Sequence, residues 1–189
     1  MAAPWHKVHV PEGLFGLLDD HEVPHYGADW SNGLIAPMRA GGAFINSGIH
    51  TGNVHARTKY LTTRPEDLDT SLDWDEIVEA SVHAPRDGLR LESLDQGPAD
   101  DGSPLAGHGA TDYRVRVHAH GREIAWDKTA STPTETYLLL VWPAEPAPAQ
   151  TLRFSGRLGQ TQEAHDPHRL APLDEPPTTP ADVPIPRPN

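Results

Sequence analysis

Apolar and polar residues alternate along several short stretches of the chain, and this period of two is typical of β-strands with one buried face. The clearest case is residues 113–120, which we expect to form a half-buried antiparallel strand. Its apolar face consists of Tyr113, Val115, Val117 and Ala119, and its polar face of Arg114, Arg116, His118 and His120. Residues 54–60, 77–83 and 89–93 repeat the pattern. Residues 137–142 are apolar on both faces, which predicts a central, doubly covered strand.

Weaker strand signals, separated by glycine and asparagine turns, complete the pattern. They are residues 7–10, 34–37, 43–46 and 152–155. Helical periodicity is scarce between them, so about nine short strands predict an all-β fold, either an antiparallel β-sandwich or a jelly-roll-like barrel.

Two local signals add detail to this fold. Asp87-Gly88 lies between two alternating runs and predicts a tight hairpin. Residues 65–68, Pro-Glu-Asp-Leu, suit the first turn of a short helix, because proline and acidic residues are favoured there.

Proline becomes frequent near the C-terminus. Residues 173–189 contain six of the 20 prolines, with few apolar side chains between them. Proline donates no backbone hydrogen bond and therefore disfavours both helix and sheet. We expect residues 1–158 to form a single β-sandwich domain and residues 159–189 to form a disordered, Pro-rich tail.

The charge is concentrated in one part of the chain. The net charge is −12, and residues 66–101 contain twelve acidic residues against two arginines. Binding of nucleic acid requires a basic surface, so this balance argues against direct nucleic-acid binding. The concentration of acidic residues instead favours binding of a basic protein partner; the alternative is that these residues only keep the protein soluble. No apolar run resembles a signal peptide or a membrane span, and the cytoplasm is the expected compartment.

Candidate chemistry is sparse. The absence of cysteine excludes disulfides and thiolate sites, and no nucleophile elbow or HExxH motif is present. His118 and His120 project to one strand face and are the best metal-ligand candidates. Arginines on the same face would repel a divalent cation, so we predict no metal site. Because no catalytic or cofactor motif is present, we also predict no cofactor and no catalytic residue.

An acidic run at alternate positions looks like a calcium loop. It consists of Asp67, Asp69, Ser71, Asp73 and Asp75. A loop of the EF-hand kind requires glycine at its sixth position and glutamate at its twelfth, where this chain has Leu72 and Val78. We therefore interpret the run as a solvated acidic loop.

Five segments together resemble the competence-protein-J-like family of Gram-positive bacteria. They are residues 31–34 (SNGL), the glycine turn at 48–54, residues 74–81 (WDEIVEAS), residues 113–122 and residues 137–144 (YLLLVWPA). The resemblance covers roughly residues 5–154. It implies a small β protein of nuclease-inhibitor type, and it transfers no binding residue to this chain.

The charge distribution and the resemblance favour the same function. We predict a non-enzymatic acidic β domain that binds a basic protein partner, as a nuclease inhibitor or immunity protein does. The predicted partner-binding residues are Asp67, Asp69, Asp73, Asp75 and Glu76. One alternative is a small-molecule or carbohydrate-binding β-sandwich that uses Trp30, Trp126 or Trp142 as stacking platforms. Another is a metal-dependent enzyme built on His118 and His120.

Overall fold

The computed structural model describes residues 4–19, 28–86, 88–99, 102–105 and 110–154. These residues form twelve β-strands and no helix, which confirms the all-β prediction. Within this part of the chain, no helix has the length and apolar character that a membrane-spanning segment requires. The predicted tail, residues 159–189, lies outside the described residues.

The strands are short, and most follow the predicted segments. In chain order they are β1 (His6–Val10), β2 (Leu14–Leu18), β3 (Ile35–Pro37), β4 (Ala43–Asn46), β5 (Thr51–Tyr60), β6 (Glu76–His83), β7 (Arg90–Ser93), β8 (Gly97–Pro98), β9 (Asp112–His120), β10 (Thr129–Ala130), β11 (Thr136–Pro143) and β12 (Gln150–Phe154). Every segment with a strand signal forms a strand. The sequence pattern missed β2, β8 and β10.

The strands divide between two sheets. The larger sheet has the order β1-β5-β11-β9-β6-β12, with β10 beside β5, and the smaller sheet has the order β3-β4-β2-β7-β8. Most neighbours are antiparallel, but β5 runs parallel to both β10 and β11, so the larger sheet is mixed rather than wholly antiparallel as predicted. Apolar side chains from both sheets form one buried cluster, in which Val115, Val117, Leu139 and Val141 are fully buried.

Two local predictions are wrong. No helix forms at residues 65–68, where the chain is extended or bent. The predicted hairpin at Gly88 is also absent, because β6 belongs to the larger sheet and β7 to the smaller one. The buried Asp19 carboxylate holds this crossover, since it accepts hydrogen bonds from the backbone N–H groups of Arg86 (2.9 Å) and Gly88 (2.8 Å).

The outer face of the larger sheet, which points away from the smaller sheet, is also largely buried along the central strands β6, β9 and β11, although His55 and Lys59 on β5 and most of β12 are exposed. On β9, Arg114, Arg116 and His118 are buried although they alternate with the core residues. The predicted half-buried strand is therefore wrong in its exposure. A second apolar cluster lies on this side, made of Trp74, Ile77, Leu138, Leu140 and Trp142.

Candidate functional site

Cross-strand register on the outer face explains which polar side chains meet. Residues opposite each other on neighbouring strands project to the same side of the sheet. The register gives three rows: Arg57–Leu138–His118–Ile77, Lys59–Leu140–Arg116–Glu79–Gln150 and Trp142–Arg114–Ser81. Charged and apolar residues therefore share each row. The loops that cover this face must supply hydrogen-bond partners to the charged side chains and pack against the apolar ones.

The acidic loop, residues 61–75, joins β5 to β6 and is held on this face by Arg116. The Arg116 guanidinium donates through Nη1 to the carbonyl of Asp67 (2.9 Å) and through Nη2 to the carbonyl of Pro65 (3.0 Å). Because Arg116 is buried, these two bonds tie the loop backbone to the interior of the fold. The backbone of the acidic loop is therefore held in place at residues 65 and 67.

Asp69, one of the predicted partner residues, uses its carboxylate inside the loop. Its Oδ1 accepts hydrogen bonds from the backbone N–H of Ser71 (2.9 Å) and from the indole N–H of Trp74 (3.1 Å). Burial acts to raise the pKa of Asp69, but the bonds from Ser71 and Trp74 outweigh it and hold that pKa below its ordinary value. Asp69 therefore positions Trp74.

Trp74 in turn covers His118. The two ring centroids are 5.4 Å apart, and His118 Nδ1 lies 3.3 Å from the carbonyl oxygen of Leu138. The Nε2 atom is buried and has no hydrogen-bond partner among the residues that the structure describes. Burial lowers the pKa of His118 to about 4, so the ring is neutral at pH 7.

His120 has different surroundings from His118. Its Nδ1 lies 2.9 Å from the carbonyl oxygen of Asp73 and 3.2 Å from Asp75 Oδ2, and the side chain is about half exposed. In the described part of the chain, no group of three or more histidine, aspartate or glutamate side chains is placed to hold a metal ion. The metal-dependent reading of His118 and His120 stays a hypothesis.

Glu76 cannot present its carboxylate to a partner, and its assignment as a partner-binding residue is corrected. It is buried on the inner face, where the Arg122 guanidinium donates to it at 2.6 Å. Burial raises the pKa of Glu76, and the charge and hydrogen bond of Arg122 oppose that shift. Arg122 also donates to the carbonyl of Gly33 at 3.3 Å.

The remaining predicted partner residues differ in exposure. Asp67 and Asp73 are exposed, and Asp75 is partly exposed. Asp75 accepts a hydrogen bond from the backbone N–H of Gly121 (2.7 Å), which joins the acidic loop to the loop of residues 121–128. Asp75 therefore lies beside that second loop, whereas the Asp73 carboxylate lies 3.7 Å from Arg153 Nη1.

Residues 121–128 carry two exposed apolar side chains. Ile124 is 64% exposed and Trp126 is 48% exposed. The loop backbone is nevertheless hydrogen bonded at both ends: Ile124 N–H to Gly121 O (3.0 Å), Asp127 N–H to Gly48 O (2.8 Å), Lys128 N–H to Ala125 O (3.1 Å) and His50 N–H to Lys128 O (2.9 Å). Sequence reasoning missed Ile124, whose only signal is its place between charged residues in a glycine-started turn.

A buried glutamate fixes the turn beneath this loop. Glu135 accepts hydrogen bonds from the backbone N–H groups of Gly48 (3.0 Å) and Ile49 (2.7 Å) and from the Tyr137 hydroxyl. Burial raises the pKa of Glu135, and these bonds oppose that shift. A Cβ atom on Gly48 would lie 1.8 Å from the Arg122 carbonyl oxygen, so the close approach of the two loops requires glycine there.

We call the exposed surface formed by the two loops the acidic end. Its members are Asp73, Asp75, Glu123, Ile124, Trp126 and Asp127. Lys128 and His120 border it. The surface thus combines two apolar side chains with four carboxylates.

The three tryptophans predicted as stacking platforms have different surroundings. Trp30 is half-buried and stacks on Phe44, with ring centroids 6.1 Å apart. Trp142 is buried, with the Arg116 guanidinium 5.7 Å from its ring centroid, and its assignment as an exposed platform is corrected. Of these three residues, Trp126 alone is exposed.

Comparison with known proteins adds no relative to this description. No protein-family model matches the chain, and neither a curated protein nor a solved structure matches it. The resemblance to the competence-protein-J-like family therefore stays a prediction.

Proposed function

We propose that the chain is a non-enzymatic acidic β domain that binds a basic protein partner through the acidic end. One observation carries the proposal: Ile124 and Trp126 are exposed on a hydrogen-bonded loop that also carries the exposed acids Glu123 and Asp127 and is bonded to the acidic loop at Asp75. The acidic loop predicted from sequence contributes Asp73 and Asp75 to the acidic end.

The composition of the acidic end supports a protein partner. Tryptophan is enriched among the residues that contribute most to binding, and such residues work best when a polar rim surrounds them. Carboxylates around Trp126 would steer a basic partner and raise its association rate. Because the loop is already held by Gly48 and His50, binding would cost little loop entropy.

The more specific form of the proposal is a nuclease inhibitor or immunity protein of the cytoplasm. A nuclease must hold phosphate groups and therefore presents a basic cleft. An acidic surface with an apolar centre is complementary to such a cleft. The resemblance to the competence-protein-J-like family supports the same reading.

Capture of partners at low salt tests the apolar part of the acidic end. The wild-type chain, Trp126→Ala and Trp5→Ala are each immobilised and exposed to an extract of the source cells. Trp5 is also exposed, 41%, but its ring lies under Arg57 on β5, so Trp5→Ala is the matched control. We expect wild type and Trp5→Ala to retain the same basic protein, and Trp126→Ala to lose it. Equal retention by all three, or no retained basic protein, would contradict the proposal.

The association rate of the purified partner tests the acidic part. The variant to use is Asp73→Asn, Glu123→Gln and Asp127→Asn combined, because these three members of the acidic end are exposed, whereas Asp75 accepts the hydrogen bond that joins its two loops. We expect the association rate to fall at least tenfold at low salt and the difference to shrink as salt increases.

A matched variant removes the same amount of charge elsewhere, through Asp95→Asn, Asp112→Asn and Glu145→Gln. This control should associate nearly as fast as wild type. Equal slowing by both variants would mean that net charge, rather than the acidic end, governs association. For the more specific form, the partner must cleave nucleic acid, and an equimolar amount of the chain must stop that cleavage.

A further inference from the structure

A second site is indicated on the outer face of the larger sheet, where one buried carboxylate meets three guanidinium groups. Glu79 accepts from Arg116 Nε at 2.7 Å and from Arg64 Nη2 at 3.2 Å, and Arg114 Nη2 lies 3.6 Å away. Burial acts to raise the pKa of Glu79, but Arg116 and then Arg64 hold it below its ordinary value. The cluster therefore has three positive charges and one negative charge.

Two of the three arginines are committed to the fold. Arg116 binds the carbonyls of the acidic loop, as described above. Arg114 donates through Nη1 to the Ser81 hydroxyl (3.0 Å) and to the carbonyls of Ala147 (2.7 Å) and Pro148 (3.1 Å). Both side chains are buried. They supply fixed positive charge beneath the surface.

Arg64 is held more loosely. Its side chain is 54% exposed, and its hydrogen bonds to Glu79, at 3.2 and 3.4 Å, both use Nη2. Its Nε and Nη1 atoms donate to no other residue that the structure describes. A guanidinium edge with free donors is suited to two parallel hydrogen bonds with a carboxylate or phosphate group.

Arg64 lies in a groove of about 530 Å³ between residues 62–64 and residues 143–150. Thr62, Thr63 and Gln150 also line this groove, and none of their side chains hydrogen bonds to another described residue. Trp142 and Pro143 add apolar lining, and Glu145 also lines the groove as a second carboxylate, which reduces the positive excess without cancelling it. Donors and apolar surface therefore meet beside an excess of positive charge, in a chain whose net charge is −12.

We propose that this groove binds a small organic oxyanion, whose carboxylate or phosphate group is received by Arg64 with Thr62 and Thr63. A buried charge is costly unless it is paired with an opposite charge. A bound anion would neutralise part of the positive charge of the three arginines that Glu79 does not neutralise. The apolar lining would contact the remainder of the ligand. The groove lies near Arg114, six residues and about 20 Å along β9 from His120 and the acidic end, so the two proposals can fail separately.

Titration of the intact chain with simple anions tests the site. The shifts of the backbone amide resonances report binding. Sodium phosphate and sodium acetate are added separately at constant ionic strength, with sodium chloride as the reference. We expect saturable shifts at residues 62–64 and 144–150 with at least one of the two oxyanions. The one that saturates at lower concentration identifies the group as phosphate or carboxylate. If the shifts with phosphate and with acetate both equal those with chloride, the arginine cluster serves only to hold the fold together and the proposal is wrong.

Substitutions distinguish this site from a diffuse electrostatic attraction. Arg64→Gln should raise the dissociation constant at least tenfold, and Arg64→Lys, which keeps the charge without the paired donors, should have an intermediate value. Lys59→Gln removes the same charge from an exposed position on the same face and should stay within twofold of wild type. Unchanged binding by Arg64→Gln, or equal weakening by Lys59→Gln, would overturn the proposal.

Discussion

Along the central strands of the larger sheet both faces are largely buried, but by different means. The inner face packs against the smaller sheet through valine, leucine and tyrosine side chains. The outer face lies beneath loops and buries Arg114, Arg116 and His118 beside Trp74 and Trp142. The same strand, β9, supplies residues to both faces. Alternation thus shows that the two faces of a strand differ, but it does not show which of them solvent reaches.

The two faces also contribute differently to the fold. Burial of the inner face stabilises the fold roughly in proportion to the apolar area removed from water. On the outer face, the attraction between Glu79 and its arginines is largely offset by the cost of removing their charges from water. We infer that the outer face mainly fixes where the acidic loop lies. Removing either Glu79 or one of its arginines is expected to destabilise the fold strongly, because the remaining group becomes a buried, unpaired charge.

The largest expected effect comes from breaking the buried ion cluster. Glu79→Gln keeps the side-chain volume but leaves Arg114 and Arg116 without their anion, so we expect the free energy of unfolding to fall by about 3–5 kcal/mol. Leu139→Ala on the inner face is the matched comparison and should cost about 2–4 kcal/mol. Chemical denaturation measures both. A decrease of less than about 1 kcal/mol in the unfolding free energy of Glu79→Gln would show that water solvates the ion cluster and screens its charges.

A smaller effect depends on pH and is specific to His118. Its pKa is about 4 in the folded state against an ordinary value of 6.5, so the unfolded chain binds the proton more tightly. Its contribution is fully present above pH 6.5 and is lost as pH falls towards 4, by up to about 3 kcal/mol. Glu76 and Glu135 have raised pKa values and act in the opposite direction, since their contribution is lost as pH rises.

The comparison with His118→Gln isolates this effect, because the two glutamates titrate in both proteins. The difference in unfolding free energy between wild type and His118→Gln should decrease from pH 7 to pH 4. The measurement is denaturation at several pH values. A constant difference across that range would mean that His118 is already solvated in the folded state.

The smallest effect separates two acids of the same loop. Asp69→Asn weakens the acceptor for Ser71 and Trp74 and should cost about 1 kcal/mol. Asp73→Asn changes an exposed carboxylate and should lie within about 0.5 kcal/mol of wild type. Thermal or chemical unfolding of the two variants tests the distinction. Equal costs would show that the loop is not held through Asp69.

The sequence by itself determined the fold class and the position of most strands. Strands with one apolar face, such as β5, β6 and β9, have a local period of two that any reader of the chain can detect. The pattern failed at β2, where Leu14–Leu18 is apolar on both faces around Gly16 and shows no alternation. It named Trp30, Trp126 and Trp142 as exposed, of which Trp126 alone is, and it placed Asp67 and Asp73 among the exposed acids, where the structure also has them.

Tertiary structure alone decided which charged side chains are buried in ion pairs. Glu76 meets Arg122 across 46 residues, and Glu79 meets Arg116 across 37 residues. The crossover from β6 to β7 looks locally like a hairpin, because only the pairing of β6 with β9 and of β7 with β2 shows that the two strands belong to different sheets. Local periodicity cannot encode these pairings, because strand order and register place the partners together only after distant segments have joined one sheet. An acidic residue that is solvated in one arrangement therefore becomes a buried ion pair in another.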